Sequence, residues 1–229
     1  MSLSGNPFPF NIHFHLQSLP TPFMSPRSPG EPSAGHPAST HPPKIEDLLG
    51  LGNQDLISRF SIGVEGFDRR VVELTDSQVD TAFLPEAGVG RWPVRVLIGH
   101  LADAELVFVH RMRRAVAEDN PLLAVFDEQA FIDAGLYGSV ATPQNPPAQA
   151  RPGPKPAVGG FIATIHTLRR WTTEWLSSLI STQWERGALH PERGPLTVRR
   201  IVEYDTWHLE NHAWYLNRKI ARFLGPRQN

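Results

Sequence analysis

The sequence predicts an all-α protein, a four-helix bundle with one long crossover connection and a disordered N-terminal extension. Three observations predict it. Four segments carry apolar residues at steps of three and four, the period of a helix that buries one face. No segment shows the alternation of a half-buried strand, and no internal repeat is visible. Proline collects outside the four segments: 10 of the 22 prolines fall within residues 1–44, and six lie between Pro143 and Pro156. With 229 residues, 40% of them hydrophobic, the chain can build a core for one domain. The expected layout is an extension over 1–44, the bundle over 45–225 and a short tail over 226–229.

The extension holds segments such as Ser25-Pro26-Arg27-Ser28-Pro29-Gly30 and His41-Pro42-Pro43. These bury too little apolar surface to offset the entropy of ordering. Met24 stands directly before the Ser/Pro-rich part and is a candidate start. The first helix is expected over about 54–74, from the rough stripe Ile57, Phe60, Ile62, Val64, Phe67, Val71 and Leu74, with Gly63 and Gly66 as weak points. The second is expected over about 93–118. Pro93 opens it, because a proline at a helix start loses no hydrogen bond. Val96, Leu97, His100, Ala104, Val107 and Arg111 then share one face.

A long connection, about 119–157, holds a short amphipathic piece near 127–137 and then the proline-rich stretch. The third helix is expected over about 158–180, with Phe161, Ile165, Leu168, Trp171, Trp175 and Leu179 as its apolar stripe. The fourth is expected over about 197–223. Thr197 suits an N-cap, and Gly225-Pro226 ends the helix. Ile201, Tyr204, Asp205, His208, His212, Tyr215 and Lys219 lie along one side of it.

Composition excludes several classes. There is no cysteine, which removes disulfides, thiolate metal sites and cysteine nucleophiles. A formal net charge of -1 gives no nucleic-acid footprint, and the short cluster Arg111, Arg113 and Arg114 reads as a solvated helix face. No apolar run reaches membrane-spanning length, and no basic-then-apolar leader pattern opens the chain. The expectation is a cytoplasmic protein with a small-molecule substrate, no nucleic-acid or membrane partner, and a homodimer left open.

The informative motif is Trp207-His208-Leu209-Glu210-Asn211-His212. Histidines four apart project from one face of a helix, and two neutral imidazoles there can grip one divalent ion. Leu209 replaces the glutamate of a zincin motif, and an HxxxH pair alone occurs by chance. His100 is the candidate third ligand. It lies mid-helix between Ile98-Gly99 and Leu101-Ala102, where a buried ionisable group is costly unless satisfied. On these residues alone, a hydrogen-bonded core histidine stays as an alternative. Gly99 would let the facing helix approach closely.

The segment from Trp92 to Glu105, WPVRVLIGHLADAE, resembles the second helix of the DinB/YfiT-like superfamily. Gly194-Pro195-Leu196-Thr197 leading to His208 and His212 resembles its last helix, and Trp184 and His190-Pro191-Glu192-Arg193 add to the likeness over roughly 52–224. Phe131 stands where relatives often carry tryptophan. The resemblance implies a four-helix bundle whose divalent metal is held by His100, His208 and His212. It also implies a metal-dependent hydrolase, or a transferase that uses a low-molecular-weight thiol as co-substrate. Zinc or nickel suits three imidazoles best, with iron or manganese behind them.

Three histidines leave a coordination position open, as catalytic sites do. Asp103, three residues after His100, and Asp205, three before His208, are the candidate proton acceptors or partners of the ligands. Tyr204 and Tyr215 are expected on the pocket wall, and Arg111 as a contact for an anionic substrate. Glu210 should face away, and His110, His166 and the loop residue His190 read as non-ligands. The competing readings are a metal- or ligand-binding bundle without turnover, and a bundle whose histidines are merely buried.

Overall fold

Four helices carry the core of the computed structural model, which describes residues 41–138 and 155–227. The first, α1 (Asn53–Ile62), is shorter than expected. It stops at Gly63, whose φ of 51° places it in the region that favours glycine. A side chain at position 63 would collide with Arg169, whose Cδ lies 2.9 Å from the site of the missing Cβ. The rest of the expected 54–74 helix is two 3-10 turns, Gly63–Gly66 and Arg69–Glu73. A single-turn helix, α2 (Asp76–Val79), follows, closed by the reciprocal bonds of Thr75 and Gln78.

The second bundle helix, α3 (Val94–Ala117), starts after Pro93 as the sequence predicts. The connection then carries a short helix, α4 (Glu128–Asp133), where the Asp127 carboxylate accepts from the Ala130 N–H at 3.0 Å. The proline-rich stretch lies mostly outside the described residues. So does the N-terminal extension, apart from 41–44, where the Pro43 carbonyl accepts from Trp207 Nε1 at 3.0 Å.

The third bundle helix is α5 (Val158–Ser177), separated from the short α6 (Ser181–Trp184) by a break at Ser178–Ile180. Its buried face is Ile165, Arg169, Thr172 and Leu176, rotated from the expected stripe. Trp171 is half exposed, and the Arg113 guanidinium stacks 3.7 Å from its ring centre.

The absence of strands expected from the sequence is corrected by one hairpin, β1 (Gly187–His190) and β2 (Gly194–Thr197). The strands pair antiparallel from Gly187↔Thr197 to His190↔Gly194. Four residues a side are too few for alternation to stand out. Gly194, at a φ of 74°, permits the turn. The last helix, α7 (Val198–Leu224), is capped by Thr197, whose hydroxyl accepts from the Arg200 N–H at 3.1 Å, and ends at Gly225.

Helix α3 packs on α5 and α7, and α1 packs on the same two. Leu101, Met112, Leu176, Val202 and Leu216 lie at the centre with no exposed surface. No helix among the described residues is long and apolar enough to cross a membrane.

One polar knot ties the four helices together. Arg169, buried in α5, donates to Glu105 of α3 at 2.7 Å and to the Phe60 carbonyl of α1 at 2.9 Å. It also donates to Asp205 of α7, at 3.1 Å to the carbonyl and 3.0 Å to the carboxyl. Two buried carboxyls face one guanidinium, so burial raises both above the usual carboxylate range. Asp205 is raised further because Glu105 repels its charge. The arrangement is balanced when Asp205 keeps its proton and Glu105 is the counter-ion.

Candidate metal centre

His100 sits in the second turn of α3 at 1% exposure. Its position is set from behind. Gly99 has no side chain, and the ring of Tyr137 and the tip of Phe161 fill that space. The Tyr137 hydroxyl then donates to Asp103 at 2.6 Å, so one aromatic residue braces the turn that carries His100. Burial, with that bond, raises the Tyr137 phenol above its ordinary value.

His208 and His212 project one turn apart from α7, with ring centres 4.6 Å apart. The His100 ring lies 5.1 Å from His208 and 5.3 Å from His212. One ring nitrogen from each of the three falls within a 4.8 Å set. His100 Nε2 and His208 Nε2 are 3.2 Å apart. Two imidazoles bound to a tetrahedral ion at about 2.0–2.1 Å would hold their nitrogens roughly 3.3 Å apart.

The chemistry of the donor set fits a divalent ion. Burial lowers His100 to about 4. Burial, with His100 and Lys219 nearby, lowers His212 to about 3. Burial, with the other two histidines, lowers His208 well below the ordinary histidine value. All three are therefore neutral at pH 7, and each keeps one unprotonated ring nitrogen able to ligate a cation. His100 Nδ1 is buried with no hydrogen-bond partner. One bond between imidazoles cannot satisfy three clustered rings, and a bound cation can.

Aromatic rings wall the cluster. Trp92 stands edge-on to His100 at 5.0 Å and stacks on His212 at 6.0 Å. Phe126 stacks on His100 at 5.9 Å, Phe108 meets His208 at 5.6 Å, and Tyr204 stacks on His208 at 6.2 Å. Such walls hold water back and lower the local dielectric.

Cavities open on both sides. On the His208 side, His100 and His208 share a recess with Arg111, Glu128, His190 and Arg193. On the His212 side, a cavity of about 320 Å³ is lined by Trp92, Leu97, Tyr215 and Lys219. The Lys219 amine donates to the carbonyls of Val89 and Gly90, and burial lowers it to about 8.

The other candidates lie as follows. Neither Asp103 nor Asp205 belongs to the 4.8 Å set, and each is committed elsewhere, to Tyr137 and Arg169. Glu210 faces away and grips Arg59 at 2.7 and 2.8 Å. Tyr204 and Tyr215 both line cavities next to the histidines. His110 is exposed, and His166 is half exposed with Glu65 3.8 Å away. His190, expected in a loop, ends β1 at 3% exposure and lines the recess, though it is outside the ligand set. Its Nδ1 accepts from the Glu192 N–H at 3.2 Å. Sequence spacing missed Arg169, Arg193 and the wall residues Trp92 and Phe126. Only the helix phase of Arg169, four residues from Ile165 and three from Thr172, carried a signal.

Comparison with known proteins agrees with this architecture. A family model described as the DinB superfamily matches residues 61–216. A protein of Oceanobacillus iheyensis named as a proposed metal-dependent hydrolase is 28% identical over 152 residues, covering 66% of this chain and 76% of its own. YfiT of Bacillus subtilis, similarly named, is 27% identical over 154 residues, covering 66% and 74%. The solved structure of that YfiT, described as a four-helix bundle of unusual topology, superposes with a TM-score of 0.62 at 22% identity. It covers 81% of this chain and 94% of the other.

Proposed function

The chain belongs to the DinB superfamily, and from that premise we propose that it is a metal-dependent enzyme acting on a small molecule at His100, His208 and His212. In this reading it is a hydrolase or a transferase that uses a low-molecular-weight thiol. The observation that carries the proposal is the convergence of three neutral ring nitrogens within 4.8 Å, from helices 108 residues apart in sequence. Relatives named as proposed metal-dependent hydrolases support it.

A divalent ion held there supplies Lewis acidity toward a bound oxygen or sulfur ligand. The protein's own residues supply the rest. Their lowered basicity keeps the three imidazoles unprotonated well below neutral pH, so protons do not compete for the donor nitrogens. Trp92, Phe108 and Phe126 exclude water from one side of each ring. Asp103 and Asp205 act indirectly: one holds Tyr137 behind His100, and the other anchors α7 three residues before His208. Groups that can exchange protons with a substrate are those lining the recess, His190 and the exposed Glu128 and Glu192. The chain has no cysteine, so a thiol in the reaction would arrive with the substrate.

The test is metal analysis of the purified protein, by plasma emission and by melting with and without added Zn²⁺ or Ni²⁺. The expected result is close to one ion per chain and a melting temperature raised by several degrees. His208→Ala should lose both while keeping its helical circular dichroism. Absence of metal together with an unmoved melting temperature would overturn the proposal. A panel of thiols with electrophiles, beside esters and amides, then separates transferase from hydrolase.

A further inference from the structure

We propose that the recess beside His208 seats an anionic group of the substrate, a carboxylate or a phosphate, on Arg111 and Arg193. The proposal rests on the metal reading only for the neighbouring reactive centre; the anion seat itself is argued from the arginines.

The two side chains come from different elements and meet in one place. Arg111 reaches from α3, three turns beyond His100, and Arg193 from the β1–β2 turn. Both line the recess that contains His100 and His208, and both line an adjoining cavity of about 270 Å³. That cavity shares Phe108 and Tyr204 with the recess and adds the apolar side chains Ile45, Leu196 and Ile201. A charged group at the arginines and an apolar body in the adjoining cavity would fill both.

Neither guanidinium has a carboxylate within ion-pair distance among the described residues. Several other arginines are ion-paired: Arg59 holds Glu210, Arg95 holds Asp80, Arg169 holds Glu105, and Arg200, which lines the same cavity, holds Glu203. Arg193 instead donates to the Tyr204 hydroxyl at 2.9 Å and lies 4.2 Å over its ring. Arg111 donates one N–H to the Ala124 carbonyl at 2.6 Å, and its Nε–H is buried with no partner. Glu128 and Glu192 line the recess, yet both are exposed and neither reaches either arginine.

Two like charges in a partly apolar recess repel each other. Burial and then Arg193 lower the Arg111 guanidinium, and burial and then both arginines lower His190. An anion between them removes that repulsion and offers an acceptor to the orphan Nε–H. Guanidinium suits this task because its planar fork matches carboxylate and phosphate oxygens.

The test is a titration of the full-length protein with inorganic phosphate and, separately, with malonate, at constant ionic strength. It is followed on the arginine Nε–H resonances in ¹H–¹⁵N spectra. Saturable shifts of the Arg111 and Arg193 signals are expected, and the tighter of the two anions identifies the group the seat prefers. Arg193→Gln, a change in an exposed turn, should weaken binding at least tenfold. Arg111→Lys tests the second contact with charge retained, and should also weaken it. The proposal is overturned if no saturable shift appears, if Arg193→Gln binds as tightly as the parent, or if binding disappears on chelation of metal. That last result would place the anion on the ion instead. Zinc content measured on the same samples reports separately on the three histidines. His208→Ala should lose zinc and keep the anion.

Discussion

A methyl group at position 99 has nowhere to go. Its carbon would lie 2.5 Å from Cδ1 and 2.9 Å from Cγ of the Tyr137 ring, near the ring's root where the side chain is least able to move. Gly99→Ala should therefore cost about 1–3 kcal/mol, as overpacking does, and should push Tyr137 off Asp103. Urea unfolding monitored by circular dichroism measures the loss. An unchanged midpoint would show that the contact is looser than described. Reading the chain alone picks out Gly99 beside His100, but names the wrong neighbour. The expected facing helix supplies only Phe161, and the closest ring comes from the long connection. Side chains that local period controls are legible. Those that meet only through the long, largely irregular connection after α3 are not.

At the scale of an element, α5 shows how a polar residue can set the face of a helix. Tryptophans at 171 and 175 suggest one buried stripe, yet the stripe that enters the core passes through Arg169. The guanidinium finds acceptors on α1, α3 and α7, and this outweighs the burial of Trp171. Arg169→Met should cost about 3–5 kcal/mol, because it strands two buried carboxyls without their cation. Glu105→Gln should cost less, because Asp205 can release its proton and become the counter-ion. Equal losses in thermal or urea unfolding would contradict this account of the charge balance. The same arginine explains the early end of α1. Its side chain occupies the place where a Cβ at position 63 would stand. Sequence patterning marks Gly63 as a weak point in a helix, and the tertiary contact turns it into a stop.

For the molecule as a whole, the histidine cluster ties stability to pH. Unfolded, each of the three takes up a proton near the ordinary value of 6.5; folded, His100 does so at about 4, His212 at about 3, and His208 also far below 6.5. Between those limits the unfolded chain binds more protons, so metal-free stability falls as pH drops from about 7 towards 4. Each group adds up to about 1.4 kcal/mol per pH unit. Above pH 7 these three groups contribute no slope. Melting of the chelator-treated protein from pH 8 to 5 checks this. A flat profile would mean that the rings are solvated, and a rise in stability towards pH 5 that they are held as cations.

Much was determined by the chain itself: four amphipathic segments, their order, the Thr197 cap, the Gly225 stop, and two histidines one turn apart on α7. These follow from residues within a few positions of one another, where helix geometry fixes the outcome. Tertiary structure alone decided that His100 meets His208 and His212, and that Asp103 and Asp205 are occupied by Tyr137 and Arg169. It alone brought a hairpin too short to pattern, with His190 and Arg193, to the mouth of the site. Each of these depends on which surfaces of distant segments bury against one another, and packing, unlike periodicity, is a property that no single segment carries.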